Sequence, residues 1–523
     1  MNLLLMVVIL YPLLLVGVSA WRSRSVKSHE DFMVAGREVP VALLVGTLVC
    51  TWIGSGSLFG GAGLAYRTGI AELWFSAGGW LGLVVAFFLA ARVRRIAEYT
   101  VPDLLEKRYN ALARILGTVA IILAYVTIAA YQFRGGGWIL SIVSDGKISP
   151  DTGMYITAAA IVLFTALAGM VSIVTVDVFN GIIITLGVLF AVPYMVFELG
   201  GVQAVMNALP QSHLEPLGGH NVLWVFGVAA PTFLLILGES GMYQKFFSAK
   251  NESAARKAVV GMVLGIVIIE VAIALLAITG RAAFPDLMES TSVVGRAGSE
   301  TVILYIARHG LPVAGGMVLL AAAVAIVFST GNTFLLVPST NVSRDLFQRF
   351  VRPEASERQM LLVQRLAIAG FGLLALLAIT QFDTILSMAL YAYSLVGASL
   401  TPALLAAFLW RRVTVAGGVA CIAGGLGALI GIAVASRLGV DFTLTLGATE
   451  FDFASSDYIV IPGVLVSVGL MVIVSLLTKP SPREKWEPFF VPAGARLEEA
   501  IVDERRHAAT GDEAVERSEP GEL

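Results

Sequence analysis

Charged residues, cysteine and histidine are all scarce in this 523-residue chain. Lys, Arg, Asp and Glu make up 14% of it and leave a formal net charge of −2, so no nucleic-acid partner is expected. Its two cysteines, Cys50 and Cys421, lie in apolar runs, which predicts free thiols and no disulfide. The five histidines are scattered, and the HExxH, Walker and GxSxG patterns do not occur. These absences argue against a membrane enzyme and against an ATP-driven pump.

Apolar residues dominate instead: they make up 57% of the chain, and the mean hydropathy is +0.84. Runs of roughly 20 apolar residues, each long enough to cross the hydrocarbon core of a bilayer, recur along the chain. The sequence therefore predicts an all-α polytopic membrane protein, embedded in lipid, with about 13 transmembrane helices. The candidate spans are 2–20, 41–66, 70–91, 113–142, 153–170, 176–198, 222–244, 258–280, 312–343, 360–381, 384–410, 414–436 and 457–478.

The distribution of Lys and Arg predicts which loops face the cytoplasm. Arg22, Arg24 and Lys27 follow the first span and no basic residue precedes it, so a cleaved signal peptide is disfavoured and the N-terminus is expected outside. With thirteen alternating spans, 28 of the 35 Lys and Arg residues fall on the inner side. The segment 479–523 is then a cytoplasmic tail, and the protein is expected in the cell inner or plasma membrane.

Two spans carry glycines that are expected to interrupt a helix. They are residues 54–57 (GSGS) in the second span and 238–241 (GESG) in the seventh. Glycine in mid-span lowers helix propensity and frees carbonyls, which is tolerated only beside a cavity or another helix. The breaks are five spans apart, and an odd offset inverts the topology, so 41–198 and 222–410 are predicted to be inverted repeats with a binding site at their breaks. An extra N-terminal helix (1–21) and two C-terminal helices (414–478) complete the spans. For the run Gly60–Gly63 close helix packing is the preferred interpretation.

The ninth span contains a group of polar residues, within Ala325–Phe347 (AIVFSTGNTFLLVPSTNVSRDLF). Helical spacing places the hydroxyls of Ser329 and Thr330 on the face of the Ile326 carbonyl. A second cluster on almost the same face comprises Ser329, Asn332 and Thr333. Small neutral oxygens at mid-membrane depth suit a dehydrated hard cation. Alternatively, these hydroxyls hold helices together or bond to carbonyls of their own helix.

Several short motifs, taken in their order and spacing, make the chain resemble the sodium:solute symporters, which carry proline, sugars, sialic acid, pantothenate, choline and monocarboxylates. The motifs are Ser329-Thr330 followed by Ser339-Thr340 and 344–347 (RDLF), 175–177 (TVD) with Asn180, 244–250 (QKFFSAK), and 99–102 (YTVP) with 108–109 (RY). The resemblance covers about 30–480. It implies a LeuT-type fold, in which two inverted repeats of five helices each begin with a discontinuous helix.

The resemblance also implies a sodium site between the second and ninth spans. Its ligands would be the backbone oxygens of Cys50, Ile53 and Ile326 and the hydroxyls of Ser329 and Thr330. Five oxygens without a carboxylate suit a monovalent ion. Some members carry a second sodium ion, which here would involve Ser329, Asp177, Asn332 and Thr333. For Asp177, at the start of the sixth span, helix N-capping is the alternative.

Aromatic and charged residues near the breaks are the candidates for solute binding: Trp52, Tyr131, Arg134, Glu239 and Tyr243. Trp52 resembles a tryptophan of the choline carriers and suits a cation–π contact, with packing as its alternative. Arg134 is expected to bind a solute carboxylate, to pair with Glu239 or to anchor at the outer interface. Glu239 is expected to meet a solute cation, to pair with Arg134 or to carry a proton.

Together these features predict a sodium-coupled symporter that imports a small organic solute by alternating access. The solute is expected to be an amino acid, an organic acid or another zwitterion or anion, and the coupling ion is sodium. One alternative is a proton-coupled carrier of the same fold, with Glu239 or Asp177 as the proton site. A carrier-like sensor is less favoured, because such sensors usually carry a C-terminal kinase-like domain and the segment 479–523 is expected to be too short for one.

Overall fold

The computed structural model describes residues 3–22, 39–96, 98–288, 295–446 and 449–490. Within these ranges every long element is a helix, and a short β-hairpin lies in the loop before the last span. The basic segment 23–38 and the tail beyond residue 490, which both contribute to the topology prediction, lie outside the described residues.

The helices follow one another with short connections. They are α1 (Leu3–Arg22), α2 (Val41–Trp52), α3 (Ala62–Thr68), α4 (Leu73–Ile96), α5 (Val101–Arg108), α6 (Ala111–Val143), α7 (Pro150–Glu198), α8 (Val202–Ala208), α9 (Val222–Gly238), α10 (Ser240–Ser248), α11 (Glu252–Ala283), α12 (Val302–Tyr305), α13 (Val313–Thr340), α14 (Glu357–Ile379), α15 (Ile385–Leu409), α16 (Val415–Arg437), α17 (Val460–Leu477) and α18 (Arg483–Phe490). Single π-helical segments are Gly56–Gly61, Ile306–Gly310 and Asn341–Val351, and 3₁₀ turns are Gly69–Glu72, Gln211–Leu214, Pro285–Met288 and Gly295–Thr301. The hairpin strands are β1 (Thr443–Leu446) and β2 (Thr449–Asp452), which pair antiparallel.

These helices reproduce the predicted spans. Eleven helical stretches in the described ranges are long and apolar enough to cross a membrane, and Leu3–Leu15 and Val41–Trp52 are two shorter apolar helices. Val41–Trp52 is the first half of the interrupted second span, whose second half begins at Gly56. The predicted all-α polytopic architecture is thus confirmed, with the hairpin as a small addition.

The fifth and sixth predicted spans lie in one 49-residue run of helix, α7. A straight helix of that length would extend about 74 Å. Residues near both of its ends nevertheless meet the same short segment, 308–310. Arg308 lies 2.9 Å from Asp145, which precedes α7, and Gly310 packs against Met195 near its end. The chain therefore bends back within α7, as two spans that return to one face require.

Contacts between the loops agree with the predicted alternation of spans. At one end of the bundle, side-chain contacts join Arg94 to Ala249, Arg114 to Asp345 and Lys485 to Glu106. At the opposite end they join Trp74 to Pro216, Arg67 to Ser299 and Arg308 to Asp145. Every residue in the first set is predicted on the inner side or at its edge, and every residue in the second set on the outer side.

The polar group of the ninth span lies in the most enclosed part of the protein. Every residue of α13 from 319 to 340 is buried. A helix that is apolar on all faces is one surrounded by other helices, and α13 packs against α6 and α7. The hydroxyls of this helix therefore face other protein groups and not lipid.

The run Gly60–Gly63 packs closely, as predicted. A methyl group on Gly60 would stand 3.2 Å from the Cα atom of Leu386, and one on Gly63 would stand 2.9 Å from the Cα atom of Glu300. Backbones at this distance leave no room for a side chain, which is the usual role of small residues between membrane helices.

Candidate functional site

The second span is interrupted where its glycines predict. α2 ends at Trp52, Ile53 has an extended backbone (φ −72°, ψ 94°), and a π-helical segment begins at Gly56. Gly54 lies in the gap, where a methyl group would stand only 2.9 Å from the Cγ2 atom of Thr330. The missing side chain lets α2 approach α13, so that carbonyls at the end of α2 meet the hydroxyls of α13.

The seventh span is interrupted at Glu239, also as predicted. α9 ends at Gly238 and α10 begins at Ser240, with Glu239 between them in an extended conformation (φ −69°, ψ 107°). The Glu239 carboxylate accepts hydrogen bonds from the backbone N–H groups of Gly241 (2.8 Å) and Met242 (2.5 Å) and from the hydroxyl of Tyr125 (2.6 Å). Glu239 therefore caps α10, a role that its position in the sequence does not indicate.

Four of the five predicted sodium ligands come together between the first break and α13. The Thr330 hydroxyl lies 3.3 Å from the Cys50 carbonyl and 3.2 Å from the Ile53 carbonyl, and the Ser329 hydroxyl lies 3.4 Å from the Cys50 carbonyl. Oxygens about 2.4 Å from a hard cation and at right angles to one another stand about 3.4 Å apart. The hydroxyls donate to these carbonyls in the structure and so join α2 to α13, and the same spacing fits a small cation. Ile326, which carries the fifth oxygen, is fully buried one turn earlier on α13.

Asp177 lies beside this cluster and does not cap a helix. Residues on both sides of it are helical, and its carboxylate accepts from the hydroxyls of Ser329 and Thr47, both at 2.5 Å. The N-cap alternative is therefore wrong. Of the two other residues assigned to the second ion, Asn332 accepts from Thr165 at 2.9 Å. The Thr333 hydroxyl is buried and has no hydrogen-bond partner among the described residues.

A small cavity of about 20 Å³ lies between the two breaks, enough for roughly one water molecule. Three of the predicted solute contacts, Trp52, Tyr131 and Glu239, line it. Its other lining residues are Leu48, Thr51, Gly54, Leu235, Ile236, Met242, Met262, Thr330, Phe334 and Tyr393. The Tyr131 and Tyr393 hydroxyls meet at 3.3 Å at one wall of this cavity.

Arg134 and Tyr243, the other two predicted solute contacts, lie outside the cavity lining. Arg134 donates to the carbonyls of Ile379 (2.8 Å) and Phe382 (2.9 Å), at the predicted outer end of α14. This agrees with the interface-anchor alternative and gives no support to pairing with Glu239. The Tyr243 hydroxyl donates to the Leu237 carbonyl at 2.9 Å and thereby bridges the second break.

One buried carboxyl group, that of Glu270, contacts Trp52, and a second, that of Glu72, is buried at the start of α4. The Glu270 carboxylate accepts from the indole N–H groups of Trp52 (2.9 Å) and Trp80 (2.7 Å), so it fixes one wall of the cavity. Glu72 accepts from Ser76 at 3.0 Å, and its second oxygen has no hydrogen-bond partner among the described residues. Glu270 thus lies behind the aromatic wall of the cavity, on the side of Trp52.

Two polar residues at the site are not among the candidates that the sequence indicates. Gln132 accepts from Ser55 at the first break, and its buried amide nitrogen has no hydrogen-bond partner among the described residues. Lys245 belongs by its position to the inner-loop cations, but it is fully buried beside Asp177. Their positions in the sequence could have indicated both residues. Each lies in or at the end of an apolar span, where a polar side chain is energetically costly.

Curated relatives resemble the chain over most of its length. The osmoregulated proline transporter OpuE of Bacillus subtilis is 24% identical over 500 residues, which cover 92% of this chain and 95% of that protein. The sodium/proline symporter of Escherichia coli is 26% identical over 429 residues, which cover 79% and 84%. These relatives are transporters and not enzymes, as predicted for this chain.

Solved structures of similar shape identify the fold. A Na⁺-coupled sialic acid symporter, solved in a substrate-bound outward-open state, superimposes with a TM-score of 0.72 at 15% identity, covering 91% of this chain and 98% of that one. The nucleobase-cation-symport-1 transporter Mhp1 in a closed conformation gives a TM-score of 0.57 at 12% identity, covering 88% and 97%. The predicted LeuT-type fold is thus confirmed.

The family of this chain is identified by a match that extends across both breaks and the hydroxyl cluster. Residues 32–425 fit the family model described as the sodium:solute symporter family, and this is well over half of the chain. The protein is accordingly an integral membrane carrier that couples solute transport to sodium, and it belongs to the sodium:solute symporter family.

Proposed function

We propose that this symporter imports a small zwitterion of the amino-acid class and binds sodium through Cys50, Ile53, Ile326, Ser329 and Thr330. The observation that carries the proposal is the double position of Thr330. Its hydroxyl belongs to the oxygen cluster, 3.2 Å from the Ile53 carbonyl, and the same residue lines the cavity between the breaks. Occupancy of the ion site therefore acts directly on a wall of the solute site.

The chemistry of the cavity favours a zwitterion with an apolar body. Its lining is mostly aliphatic and aromatic, and none of the described lining residues is basic. The free amide N–H of Gln132 lies outside the lining itself but beside the lining residue Gly54, where it suits one carboxylate oxygen of a solute that enlarges the cavity. The carboxyl group of Glu270 behind Trp52 favours an ammonium group on that side. The names of the curated relatives, which are proline transporters, agree with this class.

Sodium couples to the solute through the two helices that it would join. An ion bound by the carbonyls of α2 and the hydroxyls of α13 stabilises the arrangement in which the first break is ready for solute. One positive charge moving down ~100 mV releases roughly 2.3 kcal/mol. A tenfold sodium gradient adds ~1.4 kcal/mol. Together they support accumulation of a zwitterion on the order of 500-fold for each ion.

The contacts of Glu239 weigh against the proton-coupled alternative. Both of its oxygens already accept from backbone N–H groups at the start of α10. A carboxylate that caps a helix is poorly placed to exchange a proton in each transport cycle. To do so it would have to give up its hydrogen bonds to the N–H groups, which would uncap the helix. Asp177 is likewise engaged, with Thr47 and Ser329.

The proposed orientation has the N-terminus outside and the C-terminus in the cytoplasm of the cell inner or plasma membrane. It is supported by the excess of Lys and Arg in the loops that contact one another at one end of the bundle. Single cysteines introduced at Lys250 and at Glu215 should react with an impermeant maleimide only from the inside and only from the outside, respectively. Labelling with the opposite pattern would reverse the orientation.

Transport by the purified protein tests the proposed solute and ion together. In proteoliposomes, an inward sodium gradient should drive uptake of L-proline or another small amino acid from a panel that also contains sugars and dicarboxylates. Addition of an inside-negative potential should increase this uptake, since one net charge moves with each solute. Uptake that follows a proton gradient and ignores sodium would contradict the ion assignment, and uptake of sugars alone would contradict the solute class.

Replacement of Gln132 by leucine tests the amide that we assign to the solute. The Gln132→Leu variant should raise the KM for solute about tenfold, because one hydrogen bond to a charged group contributes about 1.5 kcal/mol. The matched control is Gln364→Leu. It removes an equally buried amide, whose nitrogen donates to the Thr340 hydroxyl. The control should leave the KM unchanged. Equal effects of both variants would mean that Gln132 acts only through stability.

A further inference from the structure

A buried ammonium group lies next to the proposed sodium site. Lys245, on α10, is completely buried. Its Nζ atom donates to the Thr47 carbonyl at 2.8 Å and to the Thr51 hydroxyl, and it lies 3.8 Å from the Asp177 carboxylate. Burial of an unpaired charge is very costly, whereas a paired and hydrogen-bonded one persists. Lys245 and Asp177 therefore form a charge pair inside the transport core.

This pair is linked directly to the oxygen cluster. The Asp177 carboxylate accepts from the Ser329 hydroxyl at 2.5 Å, and the same hydroxyl lies 3.4 Å from the Cys50 carbonyl. The other nearby carboxylate, Glu239, is held by the N–H groups at the start of α10 and by Tyr125. Asp177 is thus the carboxylate whose charge Lys245 compensates.

We propose that Lys245 is a built-in cation that replaces a second sodium ion, so that this carrier binds one sodium ion per cycle. The inference rests on the proposed sodium site, because it concerns a second sodium ion that would otherwise bind beside that site. Asp177, Ser329 and the unpartnered hydroxyl of Thr333 are oxygen ligands of the kind a second sodium ion would use. With a fixed ammonium beside Asp177, the attraction for that second ion is lost.

Counting bound sodium on the purified full-length protein tests this proposal without knowledge of the solute. Equilibrium binding of ²²Na⁺ to the wild type should saturate at one ion per protein with a Hill coefficient near 1. Lys245→Met, which frees Asp177, should bind two ions. Lys245→Met combined with Asp177→Asn should return to one ion. Two ions on the wild type, or a single ion on folded Lys245→Met, would overturn the proposal.

A second pair of variants keeps the test decisive if Lys245→Met does not fold. Asp177→Asn alone leaves the ammonium beside the ion site without its counter-charge, and it should weaken sodium binding at least about tenfold. The double variant should restore the wild-type affinity. Unchanged affinity in Asp177→Asn would overturn the role of Lys245. By contrast, a wild type with no saturable ²²Na⁺ binding would reject the sodium site itself, and the present inference with it.

Discussion

Alanine at Ser329 or Thr330 should remove most of the sodium dependence of transport. Each substitution deletes one of five proposed ligands in a buried site. Loss of one hydrogen-bond-like contact to a charge costs about 1.5–3 kcal/mol, which weakens sodium binding roughly 10- to 100-fold. The double variant should show no sodium-stimulated uptake at all. The measurements are initial uptake rate against sodium concentration and ²²Na⁺ binding to the purified variants.

Ser339 provides the matched control for this experiment. It lies on the same helix and is equally buried, but its hydroxyl donates to the Leu336 carbonyl of its own helix at 2.6 Å. Ser339→Ala should therefore leave the sodium response unchanged, since it removes only a local bond of the kind that hydroxyls commonly form in helices. If Ser329→Ala and Thr330→Ala behaved like Ser339→Ala, the hydroxyls of α13 would be packing groups and the ion site would lie elsewhere.

The residues of the ion site can be predicted from the sequence because the patterns that identify them are local. The glycine at position 54 marks the break, and helical spacing alone puts the Ser329 and Thr330 hydroxyls on one face. The pairing of that face with Cys50 and Ile53 comes from resemblance to a family. The structure brings these groups within 3.4 Å of one another. The role of the residues as ligands stays a prediction until sodium binding is measured.

The residues of the solute site are harder to predict from the sequence, because they depend on where side chains point after the helices pack. Tyr131 and Arg134 are three residues apart on α6, yet only Tyr131 reaches the cavity. The sequence allows three roles for Glu239, but the break that it occupies exposes two N–H groups that its own carboxylate satisfies. Such self-capping is set by backbone geometry at one residue, which composition and spacing do not reveal.

A cluster of ion pairs closes the end of the bundle that we assign to the cytoplasm. Arg114, near the start of α6, pairs with Asp103, with Glu106 and with Asp345, which is completely buried on the π-helical extension of α13. Arg344 adds a second contact to Asp103 at 2.8 Å. These contacts tie α5 and α6 to the inner end of the helix that carries the Ser329 and Thr330 hydroxyls. We expect the contacts that cross to α13 to separate when sodium and solute are released on that side.

Arg114→Met should abolish uptake and favour the state that is open to the cytoplasm. The substitution leaves Asp345 and Asp103 buried with too few cationic partners, and breaking a buried pair from one side costs about 3–5 kcal/mol. That energy is lost only in the closed arrangement, so the conformational equilibrium shifts by a factor on the order of 100 or more. The expected signature is faster labelling, from the cytoplasmic side, of a cysteine introduced at Ser343, a buried position on the same extension.

The exposed pair Arg95–Glu252 supplies the control for this prediction, because it lies at the same end of the bundle at 2.8 Å. Its side chains are 36% and 43% exposed, so Arg95→Met should cost less than about 1 kcal/mol and leave uptake nearly normal. Arg114→Lys keeps the charge but loses the fork that spans three carboxylates, and it should retain partial uptake. If Arg114→Met transported at the wild-type rate, the cluster would be a static support, and the inner closure would depend on other contacts of α13.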